Sequence, residues 1–214
     1  MGREFNDLFD EWSQSYDDTV AGSDPQYADV FLHYNSILDQ VAERATGNVI
    51  EFGVGTGNLT EKLLSRGLRV FGIEPSEGMR KIANEKMPGL HVQDGDFLTL
   101  PALPDEIDSI VSTYAFHHLT DKEKGEAIRL YSDLLHKDGR IIFGDTIFAT
   151  DKAKMEMIAQ AKRKKYGRLA ADLLREYYTT IPIMQNIFNR NGFEVSFTKC
   201  NPFVWIMDAR KSTN

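Results

Sequence analysis

The sequence predicts a single α/β domain over 1–214, built on a doubly wound sheet of seven strands, five parallel plus a terminal antiparallel pair, with helices on both faces. Three observations carry this expectation. From residue 48 onward, short apolar, β-branched runs alternate with stretches of helical period, and such repetition builds a parallel sheet with right-handed crossovers. The run Ile107–Thr113 is almost continuously apolar or β-branched, as a strand covered on both faces must be. A glycine-rich turn, Gly53-Val54-Gly55-Thr56-Gly57, follows the first apolar run, at the strand end where ligands sit in sheets of this kind.

Each element has its own local reason. Phe5, Leu8, Phe9 and Trp12 fall at helical spacing, so a short amphipathic helix and a loop to Gly22 are expected. Asp24-Pro25 then opens a longer helix, the carboxylate accepting from orphan N–H groups and the proline fitting the first turn. Tyr27, Val30, Phe31, Tyr34, Ile37, Leu38, Val41 and Ala45 share its apolar face, and Gly47 stops it, so that 1–47 forms an N-terminal helical cap. The core, 48–145, places strands at 49–52, Arg69–Ile73, 90–93, Ile107–Thr113 and 140–143. Between them, a helix at 59–65 closes at Gly67, and one capped by Ser76 ends before Pro88-Gly89. Thr120-Asp121-Lys122-Glu123 has the form of a capping box and opens another helix. Residues 146–180 break the rhythm and read as a helical insertion or lid, basic over 162–168; 181–210 gives a closing helix and the strand pair 193–198 and 203–209.

Composition narrows the functional classes. Hydrophobic residues at 42% and charged residues at 27% are ordinary globular values. A formal net charge of -7 argues against broad binding to a nucleic-acid backbone, which needs a basic footprint. Cys200 is the one cysteine, so no disulfide within the chain and no zinc-type cysteine spacing is expected, and no metal site is read from the sequence. A charged start and the lack of a long apolar run lead to the expectation of a cytoplasmic protein without a membrane segment, a monomer or homodimer.

The glycine turn lets the backbone reverse sharply and lets a ligand approach main-chain N–H groups at a helix N-terminus. The dinucleotide fingerprint places its third glycine one position later, where this chain has Asn58. Glu74, roughly 20 residues beyond the turn, sits where a carboxylate accepts from both hydroxyls of a ribose. Asp94-Gly95-Asp96-Phe97 follows the third expected strand.

Taken in order, these three elements resemble the class I S-adenosylmethionine-dependent methyltransferases, over about residues 48 to 145, and the Rossmann-like fold of that family is the expected one. The resemblance implies that Gly53, Gly55 and Gly57 pass under the methionine and ribose of the donor, that Glu74 holds the ribose, and that Asp96 takes the adenine amino group. Asp94 competes for that last role. It further implies that Phe97 offers its N–H to an adenine ring nitrogen and that Met79 packs near the base. Phe9-Asp10 and Tyr16-Asp17 look like the lead-in of the small-molecule branch, where a tyrosine, here Tyr16, covers the cofactor; within it the chain is most similar to the YrrT-type methyltransferases of bacilli. The function so implied is transfer of a methyl group from S-adenosylmethionine to a small-molecule acceptor, leaving S-adenosylhomocysteine. Two alternatives stand beside it: a non-catalytic cofactor-binding protein and, further off, a nicotinamide-dependent oxidoreductase.

Other residues invite a sharp reading and a plain one. His117 is a candidate general base, or a structural histidine at a strand end; His118 is a weaker candidate. Thr113 and Tyr114 are placed to line the cofactor. Tyr16, Tyr27 and Trp12 form either an aromatic lid or a hydrophobic seam. Asp145 orients a substrate or is a turn aspartate, and Lys162-Arg163-Lys164-Lys165 with Arg168 is a solvated helix face or an anion site.

Overall fold

The computed structural model describes residues 10, 13, 16–103 and 106–212. The expected helix carrying Phe5, Leu8, Phe9 and Trp12 lies outside them. Among the described residues the strands are β1 (Asn48–Phe52), β2 (Arg69–Ile73), β3 (Ile107–Thr113), β4 (Leu135–Thr146), β5 (Phe193–Lys199) and β6 (Val204–Lys211). They form one sheet in the order β2-β1-β3-β4-β6-β5. The first four run parallel, and β6 is inserted antiparallel between β4 and β5.

The expectation of seven strands is corrected to six, because 90–93 does not form a strand. Its one bridge to the sheet is parallel, Gln93 to Ile73, in which the Gln93 N–H donates to Gly72 O at 2.9 Å and the Glu74 N–H to Gln93 O at 3.0 Å. Two other donors of this segment are spent on the chain just before it. The Leu90 N–H turns back to Met87 O across Gly89 at φ +106°, and the Val92 N–H goes to the side chain of Asn84.

The helices are α1 (Tyr34–Arg44), α2 (Asn58–Ser65), α3 (Glu77–Lys86), α4 (Asp121–Leu134), α5 (Asp151–Arg163), α6 (Gly167–Arg175) and α7 (Ile181–Arg190), preceded by a helical turn at Tyr16–Asp18 that runs into a π-type turn at Thr19–Ser23. The single long helix expected from Asp24 to Gly47 is not formed. Residues 25–32 are turns, and His33 at φ +64° starts α1 late. The cause is Asn201, whose Nδ2 takes the Val30 and Leu32 carbonyls at 2.9 Å each while its Oδ1 accepts from the N–H groups of Phe203 and Val204. Those carbonyls serve the β5–β6 turn instead of a helix ladder.

The period-2 alternation of the central strands divides the core into two faces. Ile50, Ile110, Ile141 and Phe143 face α4 and α7, where Ile128, Tyr131 and Phe188 are buried. Val49, Val111 and Ile142 face α1 and α2, against Leu38, Val41 and Leu63. Each such side chain, removed from water, contributes about 1.5–3 kcal/mol. The capping box of α4 is present, with Thr120 and Glu123 bonded reciprocally. The stretch 146–180 contains α5 and α6, separated by Lys165 at φ +60°, and their inner side chains Ile158, Ala161, Leu169 and Leu173 pack on Ile37, Phe203 and Val204. No helix among the described residues is long and apolar enough to cross a membrane.

Candidate functional site

The site begins where β1 ends. Gly53 takes φ +66°, and a Cβ there would lie 2.8 Å from the Ala115 Cβ, so a side chain is excluded both by conformation and by the chain passing over it. Gly57, at φ +91°, is the N-cap of α2, and a Cβ would meet the Met87 side chain at 2.2 Å. Between them the Gly55 N–H donates to Glu74 Oε2 at 2.9 Å. The other oxygen of Glu74 accepts the Ser76 N–H at 2.9 Å, just ahead of α3. Glu74, at the end of β2, is therefore fixed by main-chain donors on both sides of the cleft. Burial raises its pKa, while the two N–H groups and Arg80 pull the other way.

Asp96 is buried, and its Oδ1 accepts from the Leu98 and Thr99 N–H groups at 2.9 and 2.8 Å. Asp94 instead projects outward to Arg80 at 3.2 Å. The structure thus brings Asp96 to the cleft and leaves Asp94 outside it. All the predicted cofactor residues except Gly57 line one cleft. Phe97 is there with its ring stacked on Phe52 at 5.2 Å, and Met79 and Thr113 contribute from α3 and from the end of β3. Tyr16 closes the cleft from the N-terminal side.

The segment that carries Tyr16 is tied across the glycine turn. Asp17 Oδ1 accepts from Thr56 Oγ1 at 2.6 Å and Asn58 Nδ2 at 3.0 Å, and its Oδ2 pairs with Lys86 at 2.5 Å. Asn58, the residue that departs from the dinucleotide fingerprint, also reaches the Tyr34 hydroxyl at 3.2 Å. Further back, Asp10 accepts from the Gly78 N–H at 3.0 Å.

A second, larger cavity adjoins the first, and Tyr16, Tyr114 and His118 line both. Its wall is α6 and the residues after it. Tyr27 lines it and donates its hydroxyl to Asp172, so the expected partner of the aromatic lid faces this cavity; Trp12 lies outside the described residues. The basic run 162–165 is exposed, and two of its neighbourhood's cations are paired with acids of the N-terminal segment, Lys164 with Asp29 at 3.2 Å and Arg168 with Asp24 at 2.5 Å.

His117 is held on both sides. Its Nδ1 is 2.6 Å from Asp145 Oδ1, its N–H donates to Asp145 Oδ2 at 2.9 Å, and its Nε2 is 3.4 Å from Glu176 Oε2. Burial opposes the imidazolium, the two carboxylates favour it, and the balance raises the pKa. A ring already pinned between two acids is poorly placed to begin as a free base. Asp145 lines neither cavity and is buried beneath His117, so it orients that ring rather than a substrate. His118, its Nδ1 bonded to Ala115 O at 2.8 Å, is kept neutral, above all by burial and then by the charge of His117. Sequence reasoning missed Glu176, Asp172 and Tyr178, which no motif marks and which only the packing of α6 brings here.

A glycine turn beneath a cleft at the carboxyl ends of parallel strands, with an acid ending β2 and another past the next segment, defines an α/β protein built to hold a nucleoside-type cofactor. A family model, methyltransferase domain, matches residues 49–139. An uncharacterized methyltransferase of Bacillus cytotoxicus is 57% identical over 212 residues, spanning 99% of this chain and 100% of that protein. Among solved structures, magnesium protoporphyrin IX methyltransferase of Synechocystis with bound S-adenosylmethionine superposes with a TM-score of 0.62 at 19% identity, covering 87% of this chain and 84% of that one. A methyltransferase of Thermotoga maritima, described as dependent on the same donor, gives 0.67 at 18% identity over 97% and 99%. The chain belongs to the methyltransferase family of its Bacillus relatives, and its fold is that of the class I S-adenosylmethionine-dependent enzymes.

Proposed function

We propose that this methyltransferase uses S-adenosylmethionine bound in the cleft lined by Glu74 and Asp96 and passes its methyl group to a small acceptor that enters the larger adjoining cavity. The observation that carries this reading is that the two spaces meet at Tyr16, Tyr114 and His118. In the donor pose, Glu74 takes the ribose hydroxyls, Asp96 the adenine amino group, and the main chain around Gly53 and Gly55 the methionyl end. The sulfonium then lies toward the shared wall, where the aromatic rings of Tyr16 and Tyr114 face a cation and exclude water.

Transfer from a sulfonium is an in-line displacement. The acceptor lone pair forms the bond to the methyl carbon as the carbon–sulfur bond breaks, and the electron pair returns to sulfur to leave neutral S-adenosylhomocysteine; the positive charge passes to the acceptor, which, if it was neutral and carries a proton on the attacking atom, releases that proton to solvent. Alignment of three atoms supplies much of the rate, so a dedicated base is dispensable and Tyr16, Glu74 and the glycine turn act as positioning groups. The acidic chain and the recessed cavity favour a metabolite over a polymer, and the protein is taken to work in the cytoplasm as a monomer or homodimer. Incubation with methyl-labelled S-adenosylmethionine and a cell extract, divided into small-molecule and macromolecular fractions, tests this. Label is expected in the small-molecule fraction; label confined to protein or nucleic acid would overturn the assignment.

A further inference from the structure

On the wall of the larger cavity, one group of side chains is not used by the alignment of donor and acceptor. His117, His118 and Glu176 each bring one donor atom to within 4.8 Å of the others. The two imidazoles follow directly after β3, whereas Glu176 arrives from the far side of the cavity at the end of α6. All three line the larger cavity.

The orientation of the rings is the telling feature. Histidines that ligate metals are held by a carboxylate or carbonyl at the nitrogen that does not bind, which sets the tautomer and aims the other nitrogen. Both rings here meet that condition: Nδ1 of His117 faces Asp145 Oδ1 at 2.6 Å, and Nδ1 of His118 faces Ala115 O at 2.8 Å. Each therefore presents Nε2. His117 Nε2 is 3.4 Å from Glu176 Oε2, which matches the edge of about 3.4 Å between two ligands that each stand about 2.1 Å from a tetrahedral ion. Tyr178 donates its hydroxyl to Glu176 Oε2 and lays its ring on His117 at 4.8 Å, steadying both. The nearest buried cation, Lys124, is turned away, its ammonium donating to the Leu119 and Tyr177 carbonyls.

We propose that His117, His118 and Glu176 bind one divalent transition-metal ion, with Asp145 and Ala115 O as its outer supports. Two imidazole nitrogens and one carboxylate, without a thiolate, suit the zinc class of ions and leave coordination positions open. Those positions face the larger cavity. Ion binding stands apart from the methyl-transfer reading; only a role in holding an acceptor heteroatom rests on it.

The test uses the full chain, freed of any affinity tag and stripped with chelator. Calorimetric titration with Zn²⁺ is expected to give one ion per chain, and Co²⁺ to develop the intense visible absorption of a low-coordinate nitrogen and oxygen site. Glu176→Gln and His118→Gln should each weaken Zn²⁺ binding by about tenfold or more, circular dichroism checking that they are folded. Should a variant fail to fold, the wild-type stoichiometry and Co²⁺ spectrum decide. Wild-type protein that binds no stoichiometric Zn²⁺, or that retains it unchanged in the double variant, would overturn the site. Titration of the same samples with S-adenosylhomocysteine reports separately on the donor cleft.

Discussion

Glu74 and Asp96 each commit part of their hydrogen-bonding capacity to their own loops before any ligand arrives, Glu74 to Gly55 and Ser76, Asp96 to Leu98 and Thr99. Their remaining lone pairs are pre-aimed, so little ordering cost falls on the binding step. Glu74→Ala and Asp96→Ala are each expected to weaken S-adenosylhomocysteine binding by about 1–3 kcal/mol in calorimetry, and Asp94→Ala to leave it unchanged. Equal losses at Asp94 and Asp96 would mean the adenine lies elsewhere. Glu51 supplies a second prediction at this scale. Its buried carboxyl, bonded to Thr60 Oγ1 at 2.6 Å, is pushed up to about 8 by burial, with further help from the charge of Glu74. The unfolded chain releases this proton near 4.5, the folded chain near 8, so the native state holds more protons across that window. The contribution is complete below 4.5 and is lost as pH rises to about 8, on the order of 5 kcal/mol. Urea midpoints measured from pH 5 to 8 should fall for the wild type and fall much less for Glu51→Gln. The acids at strand ends were legible in the sequence because they follow a turn at fixed local spacing. The environment of Glu51 was not, since it depends on Thr60 and Glu74 closing over the first strand.

At the scale of elements, what the sequence could show was set by whether hydrogen-bonding partners are local. The capping box of α4 is complete within four residues, Thr120 to Glu123, and formed as expected. The start of α1 departs from expectation because its partner, Asn201, is remote in sequence, whereas 90–93 departs because a competing local turn, Leu90 N–H to Met87 O, and the Asn84 side chain take donors that a strand would need. Asn201 joins residues 30 and 32 to the β5–β6 turn through four hydrogen bonds. Asn201→Ala leaves the buried Phe203 and Val204 N–H groups without that acceptor, and a loss of about 2–4 kcal/mol is expected by urea unfolding at constant m value. A loss below about 1 kcal/mol would show that water replaces the side chain. The triad of His117, His118 and Glu176 obeys the same logic, for its third member becomes a neighbour only once α6 has packed over the cavity.

Over the whole molecule, the proposed donor cleft is made by stretches remote in sequence: the N-terminal segment through Tyr16 and Asp17, the glycine turn with Glu74, Asp96 with Phe97, and Thr113 to Ala115 after β3. A ligand that binds the folded state alone stabilises it, by about 2.7 kcal/mol at a hundredfold excess over Kd. For a chain of this size that corresponds to a rise in Tm of roughly 5–10 °C with S-adenosylhomocysteine, and none with NADH. A rise with NADH alone would contradict the cofactor assignment. The clasp of Asp17 on Thr56, Asn58 and Lys86 carries one consequence for turnover. Because the residue next to it, Tyr16, walls both cavities, the proposed donor and acceptor sites share one movable wall, and exchange at one is expected to depend on the other. Initial-rate kinetics should therefore show a compulsory sequence, donor on first and spent donor off last, and Asp17→Ala should relax it toward random order.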